Sequence, residues 1–168
     1  MRSPGAADHR RDRALDRRGG RAIGFLTQQQ HGRGGRRVAK VELIGTTVGR
    51  TADGCELRVR SPWYRSLPLS SVLIELDVDG DAVEPGRMRF CVNDRDRAFD
   101  ELAEVYDEFW FVLDAGRLRV RDVEPGEHEI DFRLGLRIPY LFDEETGAVH
   151  TIHNRVQRTI VVPEEAEA

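Results

Sequence analysis

Two residue types are scarce in this sequence of 168 residues. Lys40 is the single lysine, so Arg supplies 25 of the 26 basic residues. Such a bias is typical of a GC-rich genome, and it weakens any inference from the number of arginines to a nucleic-acid ligand. Cysteine is limited to Cys55 and Cys91, each inside a strand-like segment. We expect both thiols to be buried and reduced rather than bridged.

Long apolar runs are also missing. No run approaches the ~18 to 20 residues that a membrane-spanning helix requires, and the N-terminus carries charge without the apolar stretch of a secretory signal. The chain is 39% apolar and 33% charged, which is typical of a soluble globular protein with one domain. We therefore expect a cytoplasmic protein with no membrane partner.

Recognisable catalytic motifs are absent from the sequence. It has no G-x-S-x-G, no P-loop, no G-x-G-x-x-G in a strand–helix context and no cysteine beside a basic partner. His150 and His153 have H-x-x-H spacing, but they lie in an apparent exposed hairpin, and we predict no metal site there. The local chemistry favours a binding or partner-dependent module without catalytic residues, metal or cofactor of its own.

Charge divides the chain into unequal parts. Residues 1–37 hold ten Arg and three Asp, a formal charge of +7, whereas the remainder carries −11. The first part has too few apolar residues to offset its ordering entropy, so we predict a disordered Arg/Gly-rich extension. It is a nucleic-acid-binding tail, a targeting peptide or translated upstream DNA, and we prefer the last because the strand pattern starts abruptly at Val38. An acidic body does not favour nucleic acid.

From Val38 the pattern is that of strands. "VAKVELIGTTV" predicts a strand ending at Gly45, Asp53-Gly54 predicts a hairpin turn, and "NDRDR" reads as a polar loop. Every second residue of "IDFRLGLRI" is apolar. "FDELAEVYDEFWF" is the one helical candidate, with apolar residues at helical spacing up to Phe109, and "FWFVLD" then resembles a strand.

About eight strands at spacings of 8–12 residues argue for an all-β fold. We predict an antiparallel β-sandwich over residues 38–163 with one short helix, followed by an acidic tail over residues 164–168.

The candidate site consists of aromatic and arginine side chains beside prolines, at two places where a strand ends. "SPWYRSLPLS" contains Trp63, Tyr64 and Arg65, and "LRIPY" contains Arg137 and Tyr140. Aromatic faces stack on sugar rings, Arg binds hydroxyls and carboxylates, and these residue types also dominate protein–protein hot spots. The alternative is that the rings only cap the core.

These segments also carry a family resemblance. "RSPWYRSLPLSSVLIELDVDG", "FDELAEVYDEFWFVLDAGRLRV" and "PGEHEIDFRLGLRIPY", in this order, resemble the β-subunit of bacterial C-glycoside deglycosidases over about residues 40–162. "YRSLPLS", the segment around Trp110 and "LRIPY" are the most specific parts.

The resemblance implies a non-catalytic β-sandwich subunit in an obligate complex with a TIM-barrel α-subunit. The α-subunit is expected to hold a divalent metal of the Mn or Mg type and to cleave 3-keto C-glycosides by β-elimination. Trp63, Tyr64, Arg65, Arg137 and Tyr140 would then line the subunit interface or the rim of the substrate pocket. A free-standing carbohydrate-binding sandwich is the alternative.

Overall fold

The computed structural model describes residues 42–165. The predicted disordered extension over residues 1–37 and the start of the domain at Val38 lie outside the described residues. So does the end of the acidic tail, of which Glu164 and Glu165 are described and exposed.

Strands dominate the described residues, with three short 3₁₀ helices between them. The helices are Leu69–Ser71, Pro85–Arg87 and Phe99–Glu104. The strands are β1 Glu42–Thr51, β2 Gly54–Arg60, β3 Leu67–Pro68, β4 Val72–Val78, β5 Asp81–Ala82, β6 Met88–Val92, β7 Arg95–Ala98, β8 Phe109–Trp110, β9 Ala115–Arg121, β10 Gly126–Phe142 and β11 Val149–Val162. Eight of them have four or more residues, in agreement with the prediction.

The strands form two layers that share one core. One layer has the order β5-β4-β10-β11 and the other β1-β2-β9-β6-β7, and pairing between β1 and β11 joins them into a nine-stranded sheet. That joint is a parallel contact between Thr47 and Val161, while the other ladders of the described residues are antiparallel. Buried side chains of both layers belong to one apolar cluster. The predicted β-sandwich is therefore confirmed.

Strand β1 does not end at Gly45, as the sequence suggested, but continues to Thr51. Its register against β2 shifts between Ile44 and Gly49, and Gly45 has a φ of 77°. Glycine adopts this left-handed conformation without steric cost, so the residue marks a bulge rather than a strand end. Strand β1 therefore pairs with β2 before the bulge, at residues 42–44, and after it, at residues 49–51. Between these two stretches, Thr47 contacts β11.

The alternation of apolar residues correctly predicted the inner faces of the long strands. Val72, Ile74 and Leu76 of β4 are buried, and Ile130 to Ile138 of β10 are buried at every second position. The Asp53-Gly54 turn is also confirmed, since Thr51 pairs with Gly54. Both cysteines are buried and free, and burial raises the pKa of Cys55 to about 11.

Two predictions about connections were wrong. "NDRDR" is not a loop, because Asn93 and Asp94 adopt positive φ and form the turn of a β6–β7 hairpin. The helical candidate has only its first six residues in a 3₁₀ helix. After it, the Val105 and Glu108 carbonyls accept hydrogen bonds from the backbone of residues 69 and 70, so tertiary pairing replaces further helical bonds.

No helix among residues 42–165 is long and apolar enough to cross a membrane.

Candidate functional site: an aromatic end of the sandwich

The corner after β2 is shaped by its prolines and a local hydrogen bond. Pro62 is buried, and the backbone N–H of Trp63 donates to Ser61 Oγ over 3.2 Å. Pro has a fixed φ and no N–H, so it ends the ladder of β2 and directs the chain out of the layer. Residues 61–66 then lead to β3, leaving Tyr64 and Arg65 exposed.

Four of the five predicted site residues come together at this corner, and we name them the corner cluster: Trp63, Tyr64, Arg65 and Tyr140. Trp63 Nε1 donates a hydrogen bond of 2.6 Å to the Tyr140 hydroxyl. The rings of Trp63 and Tyr64 are 4.6 Å apart at an interplanar angle of 47°. The Arg65 guanidinium carbon lies 5.4 Å and 5.3 Å from the rings of Tyr64 and Tyr140, within the range of cation–π attraction.

Arg137 is placed differently from the corner cluster. It lies on β10 opposite Thr151, exposed, between the buried Leu136 and Ile138. Successive side chains of a strand point to opposite faces, so Arg137 is on the outer face of its layer. It has no hydrogen bond, ion pair or ring contact to the corner cluster among residues 42–165. Its interface role stays a prediction.

A second exposed apolar feature was not anticipated from the sequence. Phe109 and Phe111 lie on either side of Trp110, and Leu113 lies in the turn that follows, where the Asp114 backbone N–H donates to the Phe111 carbonyl over 3.0 Å. Their exposed fractions are 41%, 51% and 85%. We name these three residues the apolar ridge. Trp110, between the two phenylalanines, and Glu108, just before them, are buried. The sequence predicts a strand over "FWFVLD", but only Phe109–Trp110 is a strand, because residues 111–114 turn back toward β9.

The inward residues of this segment fasten the apolar ridge. The Arg97 guanidinium donates two hydrogen bonds, of 2.9 and 3.2 Å, to Glu108 Oε2. Trp110 Nε1 donates to the Asp114 carbonyl over 2.9 Å, and Asn93 Nδ2 donates to the Phe109 carbonyl over 2.9 Å. The outward side chains therefore project from a backbone that is held in place.

Trp110 also ties the apolar ridge to the core. Its ring meets Phe90 edge to face, with centroids 5.2 Å apart. Gly116 makes this packing possible, because a Cβ there would lie 2.4 Å from Phe90 Cζ and 3.3 Å from Trp110 Cζ2. Any larger residue at this position would displace the two rings.

The corner cluster and the apolar ridge lie at the same end of the sandwich. The β2–β9 ladder stops at the pair Arg60–Ala115, and the β3–β8 ladder begins at Leu67–Trp110. Residues 61–66 and 111–114 both connect these two ladders, so the two segments lie at the same end of the sandwich. The end of β10, with the exposed Leu141 and Phe142, joins them through the Trp63–Tyr140 hydrogen bond. We call this region the aromatic end.

An open groove of about 870 Å³ adjoins the apolar ridge at Leu113. Its charged lining is balanced in sign. Three arginines face three carboxylates there: Arg58, Arg60, Arg117, Glu56, Asp94 and Asp114. The groove therefore shows no preference for an anion or a cation.

Residues 42–165 gather no group of three or more His, Cys, Asp or Glu side chains able to hold a metal ion. His150 and His153 are exposed on β11. Partial burial, together with the charge of His150, lowers the pKa of His153. The described part of the chain therefore does not fit a metal centre.

The opposite end of the sandwich, where β10 begins, is closed by polar contacts. His128 Nδ1 lies 2.6 Å from Asp79 Oδ2, and His128 Nε2 lies 2.8 Å from the Glu124 carbonyl oxygen. Asp79 Oδ1 accepts a hydrogen bond from the Glu129 backbone N–H. The hydrogen bond to Asp79 is the main cause that raises the pKa of His128, and the same bond lowers the pKa of Asp79. We call this region the polar end.

Comparison with known proteins adds a family to this geometry. The family model described as "C-glycoside deglycosidase beta subunit" matches residues 37–140, a stretch that contains the corner cluster and the apolar ridge.

Characterised relatives carry related descriptions. The 3'-dehydrocarminate deglycosidase beta subunit of Microbacterium sp is 43% identical over 102 residues, covering 59% of this chain and 77% of the relative. The C-glycoside deglycosidase beta subunit of Arthrobacter globiformis is 39% identical over 112 residues, covering 63% and 82%. A Microbacterium trichothecenolyticum protein of the same description is 38% identical over 97 residues, covering 56% and 74%.

Proposed function

The chain belongs to the C-glycoside deglycosidase beta-subunit family, and from that premise we propose that it is the accessory subunit of a heteromeric carbon–carbon lyase. The observation that carries the proposal is the aromatic end, where exposed rings and Arg65 lie within the family-matched segment. Arg, Trp and Tyr are the residue types that dominate binding energy at protein interfaces. The partner is a larger TIM-barrel α-subunit, and the complex is cytoplasmic.

The partner carries the chemistry in this proposal. A C–C glycosidic bond offers no leaving oxygen to protonate, so hydrolysis by two carboxylates does not apply. A ketone at C3 of the sugar acidifies the proton on C2. A base of the partner removes that proton, and the electron pair of the broken C2–H bond forms the C1–C2 double bond. The bond from C1 to the aglycone carbon breaks at the same time. The aglycone carbon keeps the electrons of that bond and takes up a proton. A divalent metal of the Mn or Mg type in the partner would stabilise the enolate.

The names of the relatives support this division of labour, because a subunit named "beta" implies another subunit. The relative from Microbacterium sp is named for a 3'-dehydro substrate, which supports a 3-keto C-glycoside as the substrate class here. This chain would shape the rim of the pocket through the corner cluster.

Co-expression tests the proposal. The full chain is produced alone and together with a candidate TIM-barrel α-subunit, and cleavage of a 3-keto C-glycoside is followed by chromatography. We expect activity only from the pair, and substitution of Trp63 by Ala should reduce it. Cleavage by the isolated chain, or no complex with the barrel, would overturn the proposal.

The free-standing carbohydrate-binding module makes a different prediction. Glycan binding by the isolated chain, lost in Trp63→Ala, would favour it. The corner geometry is less suited to that role, because Trp63 Nε1 is already bonded to Tyr140 and Arg65 lies over the Tyr64 ring.

A further inference from the structure

We propose that the apolar ridge, Phe109, Phe111 and Leu113, is a docking element that inserts into an apolar groove of the partner subunit bordered by basic side chains. The inference rests on the proposed function and assigns the surface that meets the partner. It comes from three observations on the ridge: its exposure, its rigid support and the charge that surrounds it.

Exposure is the first observation. Three large apolar side chains at alternate positions of one segment are each at least 41% exposed, and Leu113 is 85% exposed. Single exposed apolar residues are ordinary on soluble proteins, but a contiguous row of them marks an interaction site. The row lies next to the corner cluster at the aromatic end, so the two features form one surface.

The second observation is that the ridge is held in its exposed arrangement. Glu108 and Trp110 alternate with the ridge residues, are buried, and are bonded to Arg97 and to the Asp114 carbonyl. Burial of a carboxylate such as Glu108 costs folding free energy unless the carboxylate is paired, and here it is paired with Arg97. A surface that is ordered before binding loses less conformational entropy when a partner docks.

The charge around the ridge identifies the chemistry of the partner. Between Arg97 and Arg117 the sequence has six carboxylates and no basic residue. Glu108 is buried against Arg97, and the other five are exposed: Asp100, Glu101, Glu104, Asp107 and Asp114. Arg58, Arg60 and Arg117 line the balanced groove beside Leu113, so the acidic excess belongs to the segment 98–114 that carries the ridge. Such a segment complements a partner groove that is apolar at its floor and lined by Lys or Arg at its edges.

The test measures binding of the proposed TIM-barrel α-subunit to this chain. Phe111→Ser and Leu113→Ser remove apolar contact area at exposed positions, so both variants should fold as the wild type does. Val161→Ser is the matched control, because Val161 is 43% exposed but lies on β11 opposite Glu127, at the polar end. We expect each ridge variant to raise the dissociation constant at least about tenfold. The control should change it less than about twofold.

Salt dependence tests the charge argument separately. The double variant Glu104→Gln/Asp107→Asn should slow association and flatten its dependence on salt, because exposed charges act mainly on the rate of encounter. An association rate that does not respond to salt or to this variant would overturn the basic border of the partner groove.

Other occupants of the ridge give different results. A homodimer of the isolated chain that Leu113→Ser dissociates, with unchanged binding of the barrel, would overturn the inference. So would a chain lacking residues 1–37 that binds the barrel at least tenfold more tightly, since the Arg-rich segment would then compete for the ridge. If the wild type binds and the ridge variants bind equally well, the docking role of the ridge is overturned while the proposed function stands. If the wild type does not bind at all, the proposed function fails and the ridge with it.

Discussion

The two ends of strand β10 are completed in different ways. At the polar end, where the strand begins, both nitrogens of His128 lie against acceptors of this chain, and Asp79 accepts from a backbone N–H. At the aromatic end, where the strand finishes, Tyr140 bonds to Trp63 while Leu141 and Phe142 remain exposed. One end meets its polar requirements within the chain. The other leaves apolar surface exposed, and this difference is the reason why we propose the subunit interface there.

The largest expected effect concerns the base of the aromatic end. Trp110→Ala removes a 2% exposed ring that packs on Phe90 and should lower the free energy of unfolding by about 3–5 kcal/mol. Phe109→Ala, one residue earlier and on the outward face, should cost less than about 1 kcal/mol. Urea denaturation of both variants measures the difference. Equal losses would show that the outward rings are part of the core and not a free surface.

A smaller effect is expected from pH at the polar end. The pKa of His128 is raised above its ordinary value of 6.5. Its contribution to the free energy of unfolding is therefore complete below pH 6.5 and is lost as the pH rises through the folded-state pKa. The pKa of Asp79 is lowered below 3.8, and its contribution is lost as the pH falls through the folded-state value. Thermal unfolding should therefore show a decline in stability above pH 6.5.

His128→Gln should abolish that decline, and His153→Gln is the control. The pKa of His153 is lowered, so its effect is confined to pH values below 6.5, where stability falls as the ring becomes protonated. A decline above pH 6.5 that survives in His128→Gln would contradict the assignment of the polar end. Binding of the partner should be unaffected by either variant.

The smallest effect is expected at the corner cluster. Tyr140→Phe removes the hydroxyl that accepts from Trp63 Nε1, and since the bond is exposed, the loss in unfolding free energy should stay below about 1 kcal/mol. Tyr64→Phe removes a hydroxyl from a ring that contacts Trp63 and Arg65 through its faces, and should change stability even less. Calorimetry distinguishes the two, and a larger cost for Tyr64→Phe would contradict the described geometry.

The contrast between the ends also explains what the sequence could and could not predict. Alternation along β4 and β10 depends on local pattern and core burial, and it located their inner faces correctly. The hydrogen bond from Trp63 to Tyr140 joins residues 77 positions apart, so residue type suggested a shared rim but only the fold brings the two rings together. Arg137 also lies near a proline and a tyrosine in the sequence. Strand alternation nevertheless places its side chain on the outer face of the layer, away from the corner cluster.

The errors have physical causes of the same kind. The helical spacing up to Phe109 was real, but pairing of Leu67 with Trp110 draws the segment into an extended ladder. Tertiary bonds therefore override a local preference. The five polar residues of "NDRDR" favoured a loop over a hairpin. Asn and Asp, however, tolerate the left-handed conformation that the turn at Asn93 and Asp94 needs.

The most direct test of the proposed interface is hydrogen–deuterium exchange on the full chain, alone and in complex with the proposed α-subunit. We expect slower exchange on binding at the aromatic end, in residues 61–66, 109–114 and 140–142, and unchanged exchange around Asp79 and His128. Protection confined to the polar end, with no change in those three segments, would contradict the claim that the aromatic end is the subunit interface.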